Sequence, residues 1–308
     1  MSFITNDISL ILSRLEAGDV VAIPTETVYG LAADYANEKA IEKIFAMKKR
    51  PSQHPLIMHI LPEWDILKWV KDVPDVAWVA MNRYWPGPLT LVFHLKEQMV
   101  LPLITGGQET VAIRAPSHPL MMNLLRQFGR PIVAPSANPF EKLSPTTASH
   151  VYKHFLHEDL AILDGGRCDI GIESTIVDMA HQVGVILRAG QCDFSFASLK
   201  KQTDIRVPGA HSKHYQPYKP CYYFENLATY TGSLKDFYIM RFEPTPHQKT
   251  NYLFPLDFNE VCFEFYYQLQ KADESDAKAI LIELPRNIDF QMITDKIKRA
   301  AKLFCDSD

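Results

Sequence analysis

Glycine, cysteine and long apolar runs are all scarce in this chain of 308 residues. Its 13 glycines form neither the G-x-x-x-x-G-K-[ST] pattern of a P-loop nor the glycine fingerprint of a dinucleotide-binding turn. The 5 cysteines are spread along the chain without a C-x-x-C pair, so neither a disulfide framework nor a zinc site is indicated. No apolar stretch reaches the length of a membrane span, and residues 1–7 do not resemble the start of a signal peptide. We therefore expect a cytoplasmic protein that makes no contact with a membrane.

An excess of basic charge is also absent. The chain has 32 Lys and Arg against 36 Asp and Glu, a formal net charge of −4. Residues 221–308 hold ten basic and fourteen acidic residues, which accounts for the whole net charge, and residues 1–220 are balanced with twenty-two of each. Neither region has the basic excess typical of a nucleic-acid binder. The local cluster Lys48-Lys49-Arg50 is thus expected to bind something small or something briefly held.

Helix and strand patterns alternate through the first two thirds of the chain, which predicts an α/β domain built on one twisted sheet. The first predicted helix has Asn6 or Asp7 as its cap and ends at Gly18, and the second has Asn37 as its cap. The other predicted elements of this region are helices near 75–85, 118–128 and 146–156 and strands near 20–23, 89–95, 111–115, 131–135, 160–163, 175–178 and 184–188.

The composition changes at residues 203–220, where Pro208, Gly209, Pro217 and Pro220 predict an extended linker. The elements predicted beyond it are strands near 221–224, 237–242 and 278–284 and helices near 259–271 and 289–304. Because strands and helices alternate again, we expect a second, small α/β domain.

Polar groups lie next to two apolar runs of the first region, after one and before the other. Pro24 ends the run 20–23, and the next three residues supply two hydroxyls and a carboxylate where a strand should end. Lys48 and Arg50 follow an amphipathic helix and precede a second apolar run. Ligands of α/β sheets bind at strand ends, and cations there favour an anionic ligand. The alternative for Lys48 and Arg50 is a solvated helix end, where cations are favoured by the helix dipole.

Arg114 ends the apolar run 111–113, so its charge needs an anion. That anion is either the carboxylate of a ligand or the side chain of Glu26 or Glu173. His59 lies within an apolar run, where histidine is more often a satisfied core residue than a ligand contact.

Seven motifs together resemble the YrdC-like family, the threonylcarbamoyl-AMP synthases, in its long two-domain form. In the family's order they are Pro24-Thr-Glu-Thr-Val-Tyr-Gly-Leu31, Lys48-Lys-Arg-Pro-Ser-Gln-His-Pro-Leu-Ile-Met-His59, Thr110-Val-Ala-Ile-Arg-Ala-Pro116, Pro135-Ser-Ala-Asn138, Glu173-Ser-Thr-Ile-Val-Asp178, Ile186-Leu-Arg-Ala-Gly190 and Pro208-Gly-Ala-His-Ser-Lys-His-Tyr-Gln-Pro217.

The resemblance implies a YrdC-like twisted, open mixed sheet with a concave active-site face, plus a small Rossmann-like α/β C-terminal domain. It places the catalytic domain at 1–203, a linker that folds over the active site at 204–220, and the C-terminal domain at 221–308. The last of these is short for the family and has no phosphate-binding glycine motif.

The resemblance also implies an activity. The family's enzymes are nucleotidyltransferases that form threonylcarbamoyl-AMP and pyrophosphate from L-threonine, bicarbonate and ATP, with Mg²⁺ accompanying the ATP. The implied partners are the downstream tRNA threonylcarbamoyl transferase machinery and, transiently, tRNA. Two other functions stay open: a non-catalytic RNA-binding module with the same fold, and an adenylating or carbamoylating enzyme with a different small substrate.

The resemblance implies roles for the residues that occupy the family's motif positions, and it implies no side chain that binds a metal. The implied catalytic residues are Lys48, Arg50, Ser136 and Asn138. The implied ATP contacts are Arg50, His54, Thr110, Ser136, Ser144, Arg188 and Tyr215. The implied threonine contacts are Thr27, His59, Arg114, Ala134 and Ser174. His54 stands where the family usually has Asn, Ser136 and Asn138 also fit a plain turn, and Ser144 also fits a helix cap.

Overall fold

The computed structural model describes residues 1–181, 184–192, 198–199, 205–209, 214–225, 233–245 and 249–305. The chain divides into two compact units. The first unit comprises residues 1–140 and 145–210, and the second comprises residues 141–144 and 211–308. Among the described residues, no helix combines the length and the apolar character that a membrane crossing requires.

In the part of the first unit that the structure describes, eleven strands form one mixed sheet. Its strands are β1 (Phe3–Thr5), β2 (Val21–Ile23), β3 (Gly30–Asp34), β4 (Ile57–His59), β5 (Leu89–His94), β6 (Thr110–Arg114), β7 (Ile132–Val133), β8 (Ala161–Leu163), β9 (Thr175–Asp178), β10 (Val185–Arg188) and β11 (Ser198–Leu199). Their order across the sheet is β1-β8-β2-β3-β7-β4-β6-β5-β9-β10-β11.

The described residues of this unit form six α-helices, and their caps explain where the first two begin. They are α1 (Ile8–Glu16), α2 (Glu38–Lys48), α3 (Asp75–Tyr84), α4 (Pro102–Thr105), α5 (Pro119–Phe128) and α6 (Ala148–His154). The side chain of Asp7 accepts hydrogen bonds from the first turn of α1, and Asn37 does the same for α2, as the sequence predicted. Helix α2 ends at Lys48, and the next residue, Lys49, adopts a left-handed conformation with φ of 52°.

The two faces of this sheet bury different groups of side chains. On one face, Met58, Leu91 and Ile113 join the main hydrophobic core together with apolar residues of α2 and α3. On the other face, a smaller cluster contains Ile57, Val92, Ala112, Ile176 and Val207. Register explains the division, because Ala112 lies directly between Ile57 and Val92 on neighbouring strands. Val207 is only 3% exposed, so the segment that contains it covers the middle of this second face.

The second unit has a five-stranded sheet whose pairings among the described residues are all parallel. Its strands are β12 (Cys221–Phe224), β13 (Phe237–Arg241), β14 (Tyr252–Leu253), β15 (Ala279–Glu283) and β16 (Lys302–Leu303), in the order β14-β13-β15-β12-β16. Its helices are α7 (Phe258–Glu274) and α8 (Gln291–Ala300). The predicted fold class, a large mixed α/β sheet with a second small α/β unit, is confirmed.

One predicted element is wrong at its end. The apolar pattern predicted a helix over 289–304, but α8 ends at Ala300 and Ala301 is extended. Residues 302–303 instead pair in parallel with Tyr222 and Tyr223 of β12. Strand pairing therefore overrides the local helical pattern in the last turn.

Candidate active site

A row of polar side chains crosses the covered face of the first sheet. Thr110, Ala112 and Arg114 alternate along β6 and therefore share a face. Arg114 pairs directly with His59 of β4 on one side and with Thr90 of β5 on the other. Directly paired residues lie on the same face. Arg114 ends its strand, as predicted, and His59, which was predicted inside an apolar run, also ends its strand. The polar groups extend along the face and not only around its edge.

Arg114 is the centre of this row and is held by three neighbours. Its Nη2 lies 2.6 Å from Oε1 of Glu26, and both side chains are 4% exposed. Its Nη1 donates to Oγ1 of Thr27 at 2.9 Å, and its Nε donates to the carbonyl of Gly87 at 3.2 Å. The ion pair with Glu26, one of the structural alternatives for Arg114, is therefore present. The two hydrogen bonds use two of the five N–H donors of the guanidinium, and Nη2 forms the ion pair with Glu26 without a hydrogen bond of its own. N–H donors on Nη1 and Nη2 remain for a ligand.

Ser174 links this row to Arg188. The hydroxyls of Ser174 and Thr90 share a hydrogen bond of 2.7 Å. Nη2 of Arg188 donates to the carbonyl of Ser174 at 2.9 Å and to its hydroxyl at 3.0 Å. Because Thr90 pairs with Arg114, the predicted threonine contacts Arg114 and Ser174 are joined through a residue that was not predicted.

Lys48 is buried at the end of α2. Its Nζ donates to the carbonyls of Ser136 and Asn138, each at 2.5 Å. The carbonyl of Lys48 in turn accepts from the backbone N–H of Phe140 at 2.7 Å. Burial, and then the nearby charge of Arg50, hold the pKa of Lys48 well below its usual value. The structure thus brings Lys48, Ser136 and Asn138 together.

Arg50 is buried as well, and its neighbours are other cations. Its Nη2 donates to the carbonyl of Pro55 at 2.8 Å. Burial lowers the pKa of Arg50 to about 10, and the charge of Arg188 adds to the effect. Within the described residues, no carboxylate lies within ion-pair distance of Lys48 or Arg50. Arg50 therefore repels both Lys48 and Arg188, and this cation group favours an anion as a ligand.

His59 is neutral at physiological pH. Burial lowers its pKa to about 3, and the charge of Arg114 contributes in the same direction. Its Nδ1 atom is buried without a hydrogen-bond partner among the described residues. A neutral imidazole can still donate a hydrogen bond to a ligand or accept one from it.

Three other predicted residues lie towards the opposite end of the paired strands. Thr110 begins β6, so four residue steps, roughly 13 Å, separate it from Arg114. Ala134 donates its backbone N–H to the carbonyl of Ile57 at the start of β4. The ring of His54 packs against Phe140 with centroids 5.2 Å apart.

Ser144 and Tyr215, two predicted ATP contacts, belong to the second unit, and both are buried. Tyr215 adopts φ of 66°. Its ring packs against Tyr266, with centroids 5.4 Å apart, and Nζ of Lys296 lies 4.4 Å from the ring centroid.

The segment 205–209 of the first unit is tied to the covered face by polar contacts as well as by Val207. Gln108 and Arg206 exchange two hydrogen bonds, of 2.7 and 3.1 Å. Nη1 of Arg188 donates to the carbonyl of Pro208 at 2.9 Å. Arg188 therefore joins the covering segment to Ser174.

Thr90 was not predicted to be a site residue, and Glu26 was predicted only as a possible partner of Arg114. A signal for Thr90 was present, since it is a polar residue inside the apolar strand Leu89–His94. Gly190 was not singled out either, although a Cβ there would lie 2.5 Å from the backbone nitrogen of Thr175. Among the described residues, no cluster of three or more His, Cys, Asp or Glu side chains is placed to hold a metal ion.

These features define an α/β protein with a cationic, covered site on one face of an open mixed sheet. Two family models match the sequence of this chain. Residues 13–190 match the model described as "Telomere recombination", which represents Sua5, YciO and YrdC proteins, and residues 172–302 match "Threonylcarbamoyl-AMP synthase, C-terminal domain". The chain belongs to the Sua5/YciO/YrdC family, as the seven motifs had indicated.

Individual relatives agree with this placement. A threonylcarbamoyl-AMP synthase of Pyrococcus abyssi is 40% identical over 216 residues, which are 66% of this chain and 63% of that protein. A protein of the same name from Bacillus subtilis is 45% identical over 188 residues, 60% of this chain and 54% of that protein. The matched region therefore spans less than two thirds of either relative. The crystal structure of P. abyssi Sua5 complexed with L-threonine superposes with a TM-score of 0.84 at 28% identity, covering 99% of this chain and 100% of that one.

Proposed function

We propose that the protein is an L-threonylcarbamoyladenylate synthase, a nucleotidyltransferase that joins L-threonine, bicarbonate and ATP. The amine of threonine and bicarbonate give a carbamate and water, a carbamate oxygen attacks the α-phosphorus of ATP, and pyrophosphate leaves. The product is threonylcarbamoyl-AMP, which the tRNA threonylcarbamoyl transferase machinery would consume in the cytoplasm.

The proposal rests above all on the cation group Lys48, Arg50 and Arg188. Besides burial, the charge of Arg50 lowers the pKa of Lys48 and the charge of Arg188 lowers that of Arg50, so a polyanion beside these cations would stabilise their charged forms. Phosphoryl transfer is accelerated chiefly by positioning and by charges aimed at the phosphate oxygens. In this role Arg50 supplies a planar fork and Lys48 a compact charge, and the two suit different oxygens. The backbone carbonyls of Ser136 and Asn138 accept from Lys48, and we propose that the hydroxyl and the amide of these two residues also contact the phosphates.

The Arg114 row suits the amino acid. N–H donors on Nη1 and Nη2 of Arg114 remain for the carboxylate of threonine, and Glu26 keeps the ion pair close to neutral overall. Thr27, Ser174 and the neutral His59 supply short hydrogen-bonding groups for the rest of the molecule. Within the first unit, the family position adds Ala134 as a proposed contact to threonine, and Thr110 and His54 as proposed contacts to ATP. The roles of Ser144 and Tyr215 in the second unit rest on the resemblance alone.

ATP is proposed to enter as its magnesium complex, so the ion arrives with the substrate. The hydroxyl of Ser136 and the amide of Asn138 are groups that can accept hydrogen bonds from water molecules of a hydrated ion. The ion would neutralise phosphate charge. This chain's own side chains would orient the triphosphate.

Water must be kept from a free carbamate and from a mixed anhydride. The segment 205–209 packs on the sheet face through Val207 and accepts a hydrogen bond from Arg188 at the carbonyl of Pro208. We propose that it helps to exclude water from the part of the site in the first unit.

The test is a reconstitution with purified protein, ATP, L-threonine and bicarbonate in degassed buffer, following AMP-containing product and pyrophosphate. We expect product only when all three substrates are present, and far less when serine replaces threonine. Equal turnover with serine, or turnover without bicarbonate, would reject the assignment. Salt-dependent RNA binding without any turnover would instead favour the non-catalytic alternative.

A further inference from the structure

A cavity of about 700 Å³ lies within the second unit, and its lining is basic. Five cations line it: Lys142, Lys219, Lys298, Arg299 and Lys302. No acidic side chain is among the described residues that line it. This is unexpected in a region where residues 221–308 carry a net charge of −4. Its size lies within the range of small-molecule sites.

Three stretches of chain build this cavity, and backbone contacts fix them to one another. The backbone N–H of Gln216 donates to the carbonyl of Glu141 at 2.8 Å. The carboxylate of Asp273 accepts from the backbone N–H of Tyr218 at 2.9 Å and from that of Lys219 at 2.8 Å. Lys302 is held by the pairing of β16 with β12. The cations are thus mounted on a preformed frame.

The cations are not equivalent. The ammonium of Lys219 donates to the carbonyls of Ala272 and Ser275, so it holds the wall of the cavity in place. Lys298 and Lys302 are exposed, and Arg299 is half-buried. Lys298 and Arg299 lie in the last turn of α8, whose carbonyl end attracts cations and offers nothing to an anion. Affinity for an anion would therefore depend on the side chains themselves.

An aromatic ring stands among these charges. Tyr218 lines the cavity and is 63% exposed, and Nζ of Lys142 lies 4.2 Å from the centroid of its ring. Cations around an exposed aromatic ring are the combination that binds single-stranded nucleic acids, since phosphates contact the cations and bases stack on the ring.

We propose that this cavity binds nucleotide phosphates, chiefly the backbone of a single-stranded nucleic acid, with Tyr218 as a stacking surface for a base. A free nucleotide offers the same chemistry, and the experiment separates the two sources. The inference concerns the second unit alone and does not depend on the proposed synthase activity.

The experiment measures binding to the full-length chain by fluorescence anisotropy, using a labelled single-stranded RNA oligonucleotide, its DNA counterpart, and unlabelled AMP and pyrophosphate as competitors. The test variant is Lys298→Glu/Lys302→Glu. The matched control is Lys235→Glu/Lys271→Glu, which makes the same charge change at exposed positions of the second unit outside the cavity.

We expect the test variant to bind the oligonucleotide roughly tenfold or more weakly, while the control stays near wild type. The slope of log affinity against log salt should fall by about 0.7 for each phosphate that no longer pairs with a cation. Tyr218→Ala should weaken binding roughly fivefold or more while leaving that slope unchanged. The neutral variant Lys298→Gln/Lys302→Gln gives the same comparison if charge reversal disturbs folding, which circular dichroism would reveal.

Two other outcomes are decisive. Calorimetric titration with AMP and with pyrophosphate covers the case in which the oligonucleotide does not bind. Weaker binding of either one by the test variant, without any oligonucleotide binding by the wild type, would keep the site and assign it to free nucleotides. Unchanged affinity for every probe in the test variant, or equal decreases in test and control variants, would overturn the proposal.

Discussion

Replacing Glu26 with glutamine should destabilise the first unit by about 3–5 kcal/mol, because it leaves the guanidinium of Arg114 buried without its carboxylate. The two side chains approach to 2.6 Å and are 4% exposed. With their charge centres about 4 Å apart and an effective dielectric constant of about 20, the attraction is about 4 kcal/mol. Glutamine keeps the shape of glutamate, so cavity formation adds little to the destabilisation.

Intrinsic fluorescence during urea unfolding isolates this effect. All four tryptophans, Trp64, Trp69, Trp78 and Trp85, belong to the first unit, so the signal does not report on the second. Glu63→Gln is the matched control. Glu63 pairs with Arg126 at 3.5 Å, but both side chains are 53% exposed, and removing this pair should cost less than about 1 kcal/mol.

A second variant separates charge from packing. Glu26→Gln/Arg114→Met should recover part of the stability that Glu26→Gln removes, because no charge then remains buried alone. If Glu26→Gln costs no more than Glu63→Gln, or if the double variant is as unstable as the sum of its single changes, the electrostatic account of this pair is refuted.

Three further perturbations test other parts of the site. Arg50→Ala should lower ATP turnover on the order of a hundredfold or more, whereas Lys49→Gly, at an exposed left-handed position, should change it little; equal decreases would contradict the division of the cluster. Gly190→Ala should raise the KM for threonine, because the new Cβ would lie within 2.7 Å of backbone atoms in residues 173–175; an unchanged KM would show that this close approach does not position the site. His59→Gln should reduce the amount by which the free energy of unfolding falls as the pH is lowered. The pKa of His59 is lowered from 6.5 to about 3, so the unfolded chain binds the extra proton between these values and stability falls as pH drops through that window, by up to about 1.4 kcal/mol per pH unit. Unfolding curves across this range would show the same slope in both proteins if the reasoning is wrong.

The predictable strands were those whose side chains alternate or form apolar runs. Residues 89–94 and 110–114 were found within one residue because their apolar pattern is strong. Strand β3, Gly-Leu-Ala-Ala-Asp at 30–34, was not predicted, since small residues carry little strand preference. It forms because β2 and β7 pair with it on either side. Long-range pairing of this kind leaves no local trace.

The same limit applies to the site. The sequence predicted that Arg114 needs an anion, but three answers were open, and only the fold brings Glu26 to it. The sequence also placed the site at strand ends, although the alternation Thr110, Ala112, Arg114 already puts both polar residues on one face. Reading that alternation across β4 and β5 requires their register, which the sequence does not contain.

The charged residues of the candidate site suit the two proposed substrates in different ways. Arg114 is balanced by Glu26, which suits a zwitterionic amino acid, because neither of its charges then meets a large uncompensated field. Lys48 and Arg50 are held by backbone carbonyls, which fix their geometry without cancelling their charge. Burying cations in this way costs folding free energy, and the lowered pKa values of both residues report that cost. A bound polyphosphate would recover it, so the cost of burying these cations becomes affinity for a polyanion in particular.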